Sequence, residues 1–187
     1  FTALMDVHLM GAVYCTKAAW PIMLEQGYGR IVHTTSAAGL FGTHGHTNYS
    51  SAKIALVGFM NALKQEGTSK NVLVNCVAPM ALTRMTEEVM SPKLAPKMKP
   101  EYVTALMGWL CSEESTLAGE IIEAGMGYYS KVQITEAPGY IFQGADVPSA
   151  EQIGEHWGEI SDMTGSLPYP GADDLIRAVF GKLKAAS

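Results

Sequence analysis

The chain has little from which to build a disulfide scaffold or a metal centre. Its three cysteines, Cys15, Cys76 and Cys111, stand far apart, and no Cys-x-x-Cys pair or zinc spacing occurs. A reducing interior is therefore expected rather than a cross-linked secreted domain. Clusters of Lys and Arg are missing too: 13 basic residues against 18 acidic ones leave a formal net charge of -5, which argues against nucleic acid as the main partner. No apolar run reaches the length of a membrane span and no secretory leader opens the chain. The expectation is a cytoplasmic protein without a membrane partner. The end Lys184-Ala185-Ala186-Ser187 is not the Ser-Lys-Leu peroxisomal address.

A more telling absence concerns glycine. A dinucleotide fold opens with a strand, a glycine-rich turn and a helix whose N-terminus takes the pyrophosphate, and no such signal occurs. Gly125-Met126-Gly127 lacks the third glycine and stands too late, while Gly39, Gly42 and Gly45 fall between Ser36 and Tyr49. Phe1 also begins inside what reads as an element already under way.

What is present reads as strands and helices in alternation. Residues 7–26 are apolar around most of a helical circumference, which predicts a helix buried on more than one side, stopped by Gly27 and Gly29. Gly29 to Ser36 reads as a buried parallel strand rich in β-branched residues, ending in the small-residue turn Ser36-Ala37-Ala38-Gly39. A helix follows from Asn48 to about Gly67, then a strand from Asn71 to Pro79. The segment Arg84 to Pro100 reads as a substrate-covering loop. Beyond it come a helix over 100–111, a strand over 119–127, a short strand from Tyr128 to Ile134, a helix opened by the capping box Ser149-Ala150-Glu151-Gln152, and a closing helix with Leu175, Ile176, Val179 and Leu183 on one stripe. The domain assignment is 1–145 for the main α/β unit and 146–187 for a helical extension packed on it.

Chemistry concentrates at Asn48-Tyr49-Ser50-Ser51-Ala52-Lys53, with Ser36 upstream. In a helix, Tyr49 and Lys53 share one face a turn apart. An ammonium beside a phenol favours its ionised form and makes it a usable proton donor and acceptor near neutral pH. A hydroxyl such as that of Ser36, at the carboxyl end of a parallel strand, can hold a substrate oxygen as charge develops on it; it can equally cap a turn. His44 and His46 are two residues apart with no third ligand near, so they read as loop residues facing substrate rather than a metal site.

The order of strand, Ser36, Tyr-x-x-x-Lys helix and strand ending at Ala78-Pro79 resembles the short-chain dehydrogenase/reductase family. Its later pieces, with Arg84-Met85-Thr86-Glu87 and His156-Trp157, are most similar to the (3R)-hydroxyacyl-CoA dehydrogenase units of type 2 peroxisomal multifunctional enzymes and their bacterial relatives. The resemblance implies a Rossmann-like doubly wound parallel sheet, here incomplete because the N-terminal cofactor-binding half is absent from the chain. It further implies a nicotinamide cofactor, NAD or NADP, contacted by Tyr49, Lys53, Pro79 and Thr83, and catalysis by Ser36, Tyr49 and Lys53. His8 stands where the family has a water-ordering asparagine; it either orders that water or is a satisfied buried histidine. The implied reaction interconverts a secondary alcohol and a ketone, with a 3-hydroxyacyl thioester such as an acyl-CoA as substrate. A stripe of small residues, Ser51, Ala55, Gly58 and Ala62, and the pairing of these helices in the family imply a homodimer or homotetramer through the 7–26 and 48–67 helices. The rival reading is a truncated, inactive partner or assembly subunit of such an enzyme.

Overall fold

A computed structural model describes residues 1–81, 93, 95–144 and 146–186. They divide into two compact units, Phe1–Val132 and Gln133–Ser187.

The first unit is an open sheet with helices. Its chain runs α1 (Thr2–Met5), a π-helical turn (Asp6–Met10), α2 (Gly11–Gln26), β1 (Gly29–Thr34), α3 (Ala37–Phe41), α4 (Thr47–Gly67), β2 (Val72–Pro79), α5 (Glu101–Leu110), β3 (Ile121–Gly125) and β4 (Tyr128–Val132). The sheet order is β1-β2-β3-β4, parallel through β3 and antiparallel at β4. β2 is buried along its length apart from Pro79, as a strand covered on both faces must be, and this explains a run that is apolar except at Asn75, whose side-chain amide donates to the Leu117 carbonyl and accepts from the Glu120 N–H. On α4 the buried residues Ala52, Lys53, Leu56, Val57, Met60 and Leu63 recur at helical spacing. Val57, Met60 and Leu63 meet Val74, Cys76 and Ile121 in the core.

Gly125-Met126-Gly127, rejected as a phosphate loop, closes the β3–β4 hairpin. Gly125 pairs with Tyr128, so the loop is two residues, and both of them, Met126 and Gly127, have positive φ (56° and 78°). That is the type I′ geometry that matches strand twist.

Two expectations need correction. The helical region from Thr2 to Gln26 is not buried on more than one side: Thr16 is its one buried residue, while Val7, Tyr14 and Ile22 are 70%, 63% and 62% exposed. Apolar composition alone does not bury a helix when the described residues offer partners on one side only. β1, expected to be buried throughout, is an edge strand of the sheet formed by the described residues, with Gly29 and His33 buried, Arg30, Ile31 and Val32 half-buried and Thr34 exposed. Gly29 N–H donates to the Asn71 carbonyl and Thr35 N–H to the Val77 carbonyl. Odd-numbered residues thus bond β2, and by strand parity the backbone groups of Arg30, Val32 and Thr34 face the other edge.

In the second unit the capping box is present, with Ser149 Oγ accepting from Gln152 N and Gln152 Oε1 accepting from Ser149 N. The helix it opens breaks at His156 into α6 (Ala150–Glu155) and α7 (Trp157–Ile160). The imidazole stacks on Tyr140 at 4.2 Å and meets Phe142 edge-on at 5.3 Å. On the closing helix α8 (Ala172–Ala186) Leu175, Ile176, Val179 and Leu183 share one face, as their spacing predicts, with Leu175 half-buried and Ile176, Val179 and Leu183 exposed.

His33 on β1 carries a stability prediction. It is 5% exposed and stacked on Phe59, and its Nε2 has no hydrogen-bond partner among the described residues. Burial holds its pKa below 6.5. Between that lowered value and the ordinary one the unfolded chain binds more protons, so stability is complete above about pH 6.5 and is lost as pH falls through the folded value. The slope is at most about 1.4 kcal/mol per pH unit for one such group. Urea denaturation across this range should show the slope, and His33→Leu should flatten it; an unchanged slope contradicts the assignment.

Candidate active site

Lys53 is the residue from which the site can be built. It sits on the buried stripe of α4 and is 7% exposed, where a charge without a partner is costly. Its Nζ donates to the carbonyl of Thr34 at 2.8 Å, one of the carbonyls that strand parity turns away from β2. In return Thr35 Oγ1 donates to the Lys53 carbonyl at 2.7 Å. The end of β1 and the second turn of α4 are thereby tied in both directions. Burial holds the Lys53 amine below the usual lysine range.

Tyr49 lies one turn earlier and is half-buried. The centroid of its ring is 5.6 Å from Lys53 Nζ, within reach of a cation–π contact. Two imidazoles meet this ring edge-on: His8 at 5.3 Å and 86°, and His46 at 6.3 Å and 75°. His8 comes from the π-helical turn Asp6–Met10, a distortion often found at functional sites. Its pKa is lowered by burial and then by the charge of Lys53, so it stands as a neutral imidazole.

Ser36 lies two residues beyond the end of β1. Its Oγ accepts the Ala38 N–H at 3.2 Å and caps α3. The capping use of Ser36 is therefore real, but a hydroxyl that accepts still has its own hydrogen to donate. The turn lies against α4 at Gly39, where a Cβ would come within 2.7 Å of Lys53 Cβ and 3.0 Å of the Ile54 nitrogen. Only glycine permits that approach. Pro79 ends β2 beside the end of β1. Thr83 and most of the Arg84–Pro100 loop lie outside the described residues.

His8 and Lys53 thus both approach the ring of Tyr49, with Ser36 and Pro79 at adjoining strand ends. Residue patterns did not point to the Thr34 carbonyl, which as a backbone group leaves no mark in sequence. His46, expected as a loop residue facing substrate, lies edge-on to the Tyr49 ring, three residues before it, a helical neighbour spacing. Among the described residues no three His, Cys, Asp or Glu side chains gather as metal ligands. A groove of about 500 Å³ runs along the outer edge of β1 and is lined by His8, Thr16, His33 and Lys53 among others.

The donor set fits one end of a nicotinamide cofactor. Among the described residues Thr34 is the one hydrogen-bond acceptor of Lys53 Nζ, and an ammonium has three hydrogens, so two are left to donate to ribose hydroxyls. For a pyrophosphate the described residues present no glycine-rich turn before a helix.

The sequence profile described as short chain dehydrogenase matches residues 1–93. The chain belongs to the short-chain dehydrogenase/reductase family. It is 43% identical over 179 residues to peroxisomal multifunctional enzyme A of Dictyostelium discoideum, covering 96% of this chain and 40% of that protein. With a putative short-chain type dehydrogenase/reductase of Mycobacterium tuberculosis it shares 39% identity over 164 residues, 88% of this chain and 57% of the relative. The structure of full-length peroxisomal multifunctional enzyme type 2 from Drosophila melanogaster superposes with a TM-score of 0.84 at 30% identity, over 97% of this chain and 33% of that one. The chain thus spans roughly half, or less, of the length of the curated relatives it matches. Within the family's architecture the four-stranded, mostly parallel sheet is an incomplete Rossmann-like sheet.

Proposed function

We propose that this chain carries the acid–base machinery of a dehydrogenase that interconverts a secondary alcohol and a ketone, with a 3-hydroxyacyl thioester as substrate class. The observation that carries the reading is a buried ammonium, Lys53, held by a strand-end carbonyl at 2.8 Å and set 5.6 Å from the ring of Tyr49. Tyr49 takes the carbinol proton in oxidation and returns it in reduction. Ser36 donates its hydroxyl hydrogen to the same substrate oxygen, stabilising charge there. Lys53 stabilises the negative charge that the Tyr49 oxygen carries without its proton and binds the nicotinamide ribose, and neutral His8 hydrogen-bonds a water near the amine. Pro79 borders the nicotinamide. NAD or NADP, when bound, supplies or accepts the hydride. The thioester part of the reading leans on relatives named as a peroxisomal multifunctional enzyme of Mus musculus and a 3-oxoacyl-[acyl-carrier-protein] reductase of Synechocystis.

The test is oxidation of (3R)- and (3S)-hydroxyacyl-CoA of several chain lengths in a preparation shown to bind NAD or NADP. Turnover of one enantiomer series supports the reading; cofactor binding without turnover of any secondary alcohol contradicts it. A second reading, a non-catalytic assembly subunit, draws on the open edge of β1 and its groove. Failure to bind either nicotinamide in titration, by protein of this length, favours it.

We also infer self-association through the first helices and α4. Ser51, Gly58 and Ala62 are exposed, and Val7, Tyr14 and Ile22 present apolar surface. A Cβ at Gly58 would meet nothing within 4 Å, so Gly58→Arg leaves the protomer intact and gains helix propensity of about 1 kcal/mol. Sedimentation equilibrium should show a dimer or tetramer that Gly58→Arg dissociates. An unchanged mass distribution contradicts this surface.

A further inference from the structure

The closing helix α8 has an inner and an outer side. On the inner side Leu175, Ala178 and Lys182 are half-buried, and Lys182 Nζ donates to the Pro138 carbonyl at 2.8 Å. The outer side faces water: Ile176 is 50%, Val179 40% and Phe180 60% exposed, and the exposed Leu183 extends the row. Apolar side chains gathered in adjoining turns of one helix mark an interaction surface.

The charges on that outer side are ordered. Asp173, Ile176, Phe180 and Lys184 stand at i, i+3, i+7 and i+11, the spacing of one helical row, and all four are exposed. An acid opens the row, a base closes it and apolar residues lie between. The helix dipole favours an acid first and a base last wherever they stand around the circumference; pairing requires in addition that both share the exposed apolar row, as they do here. Such a row is complementary to itself run backwards. Against an antiparallel copy, Asp173 falls opposite the partner's Lys184 at both ends, and Ile176 meets the partner's Phe180. A parallel copy would instead oppose acid to acid and base to base. The other two cations of α8 are already engaged, Arg177 by Asp174 at 2.6 Å and Lys182 by the Pro138 carbonyl.

We propose that α8 is a self-pairing surface that docks antiparallel on α8 of a second copy of this chain. The inference is independent of the dehydrogenase reading. It adds a second two-fold contact to the one inferred through α4, and two such contacts on different surfaces build a tetramer from dimers. The apolar row supplies the affinity, while the rim charge pairs fix the direction more than the strength. A helix of 15 residues is about 22 Å long, a smaller patch than the roughly 1,600 Å² of a stand-alone interface, so the pairing by itself is concentration-dependent. A membrane fits this face less well: a helix lying on lipid is rich in Lys and Arg on its polar side, whereas α8 carries two acids against three bases.

The experiment is sedimentation equilibrium of the 187-residue chain with Gly58→Arg, which removes the α4 contact. That chain should show a monomer–dimer equilibrium, and adding Phe180→Glu should raise its Kd about tenfold or more, as for an anchor residue. Asp173→Lys and Lys184→Asp, each added alone, should weaken association severalfold, because like charges then oppose each other. Mixed together, these two charge variants should associate more tightly than either does by itself, since each supplies the sign the other lacks. All the altered side chains are exposed, so the monomer's melting temperature should stay as it is. A Gly58→Arg chain that is monomeric at every concentration overturns the proposal, as does a Kd indifferent to Phe180→Glu. A mixture no tighter than its separate components overturns the antiparallel pairing. A monomer whose binding to phosphatidylserine vesicles depends on Phe180 assigns the face to lipid and overturns it as well. If Gly58→Arg leaves a tetramer's mass unchanged, the α4 surface fails instead, and the mixing of the charge variants still decides for α8.

Discussion

Tyr49→Phe is expected to lower kcat by about 10²- to 10⁴-fold, the range for removal of a positioned acid–base group, while the fold stays as it is. The separation of the two effects follows from what the side chain touches. The edge contacts with His8 and His46 and the approach of Lys53 Nζ are made by the ring, which phenylalanine keeps. Among the described residues nothing hydrogen-bonds the phenolic oxygen, so its removal leaves no buried partner unsatisfied and costs less than about 1 kcal/mol of stability. Steady-state turnover, followed by nicotinamide absorbance and paired with a thermal melt, checks this. Full activity in the variant contradicts the role. A loss of activity that tracks a collapse in melting temperature would mean that the hydroxyl is structural.

Lys53→Met is expected to cost about a hundredfold in kcat and to leave stability unchanged or raised. A unit charge 5.6 Å from the Tyr49 ring acts on a charge at that distance with about 3 kcal/mol at an effective dielectric of about 20, which is roughly two powers of ten in rate. In folding the same charge works the other way. Because burial depresses the amine's pKa, the charged form is penalised in the folded state. Stability is therefore regained as pH rises from the depressed folded value toward the ordinary lysine value of about 10.4. Methionine fills the stem's volume on the buried stripe without that penalty, at the cost of one hydrogen bond to Thr34, worth about 1 kcal/mol. A variant that is both inactive and strongly destabilised would place Lys53 among the structural residues instead.

The sequence was informative where physics is local. Tyr49 and Lys53 were placed on one helical face by spacing, and α4, β2, the Ser149 capping box and α8 all form close to where residue patterns put them. The hairpin at Met126-Gly127 shows the limit of glycine reading: the same residues that fail as a phosphate loop serve a tight turn, and the pairing of β3 with β4 decides which. Burial was read less well. The apolar residues from Val7 to Trp20 suggested an enclosed helix, and Gly29 to Thr34 an interior strand, but exposure depends on which neighbours are present, and composition does not report neighbours. Lys53 is the opposite case. On pattern alone it is a polar break in an apolar row, and only the Thr34 carbonyl, turned outward by the parity of β1, explains how a charge is kept there.

The central claim is that two hydroxyls from adjoining elements, those of Ser36 and Tyr49, serve one substrate oxygen while Lys53 holds the cofactor's ribose. A crystal structure with a nicotinamide and a 3-ketoacyl or 3-hydroxyacyl ligand tests this most directly. The account predicts that the Tyr49 and Ser36 hydroxyls both lie within hydrogen-bond distance of the ligand's C3 oxygen, with Lys53 Nζ on the nicotinamide ribose. A bound ligand whose C3 oxygen touches neither hydroxyl, while Ser36 only caps α3, would contradict it.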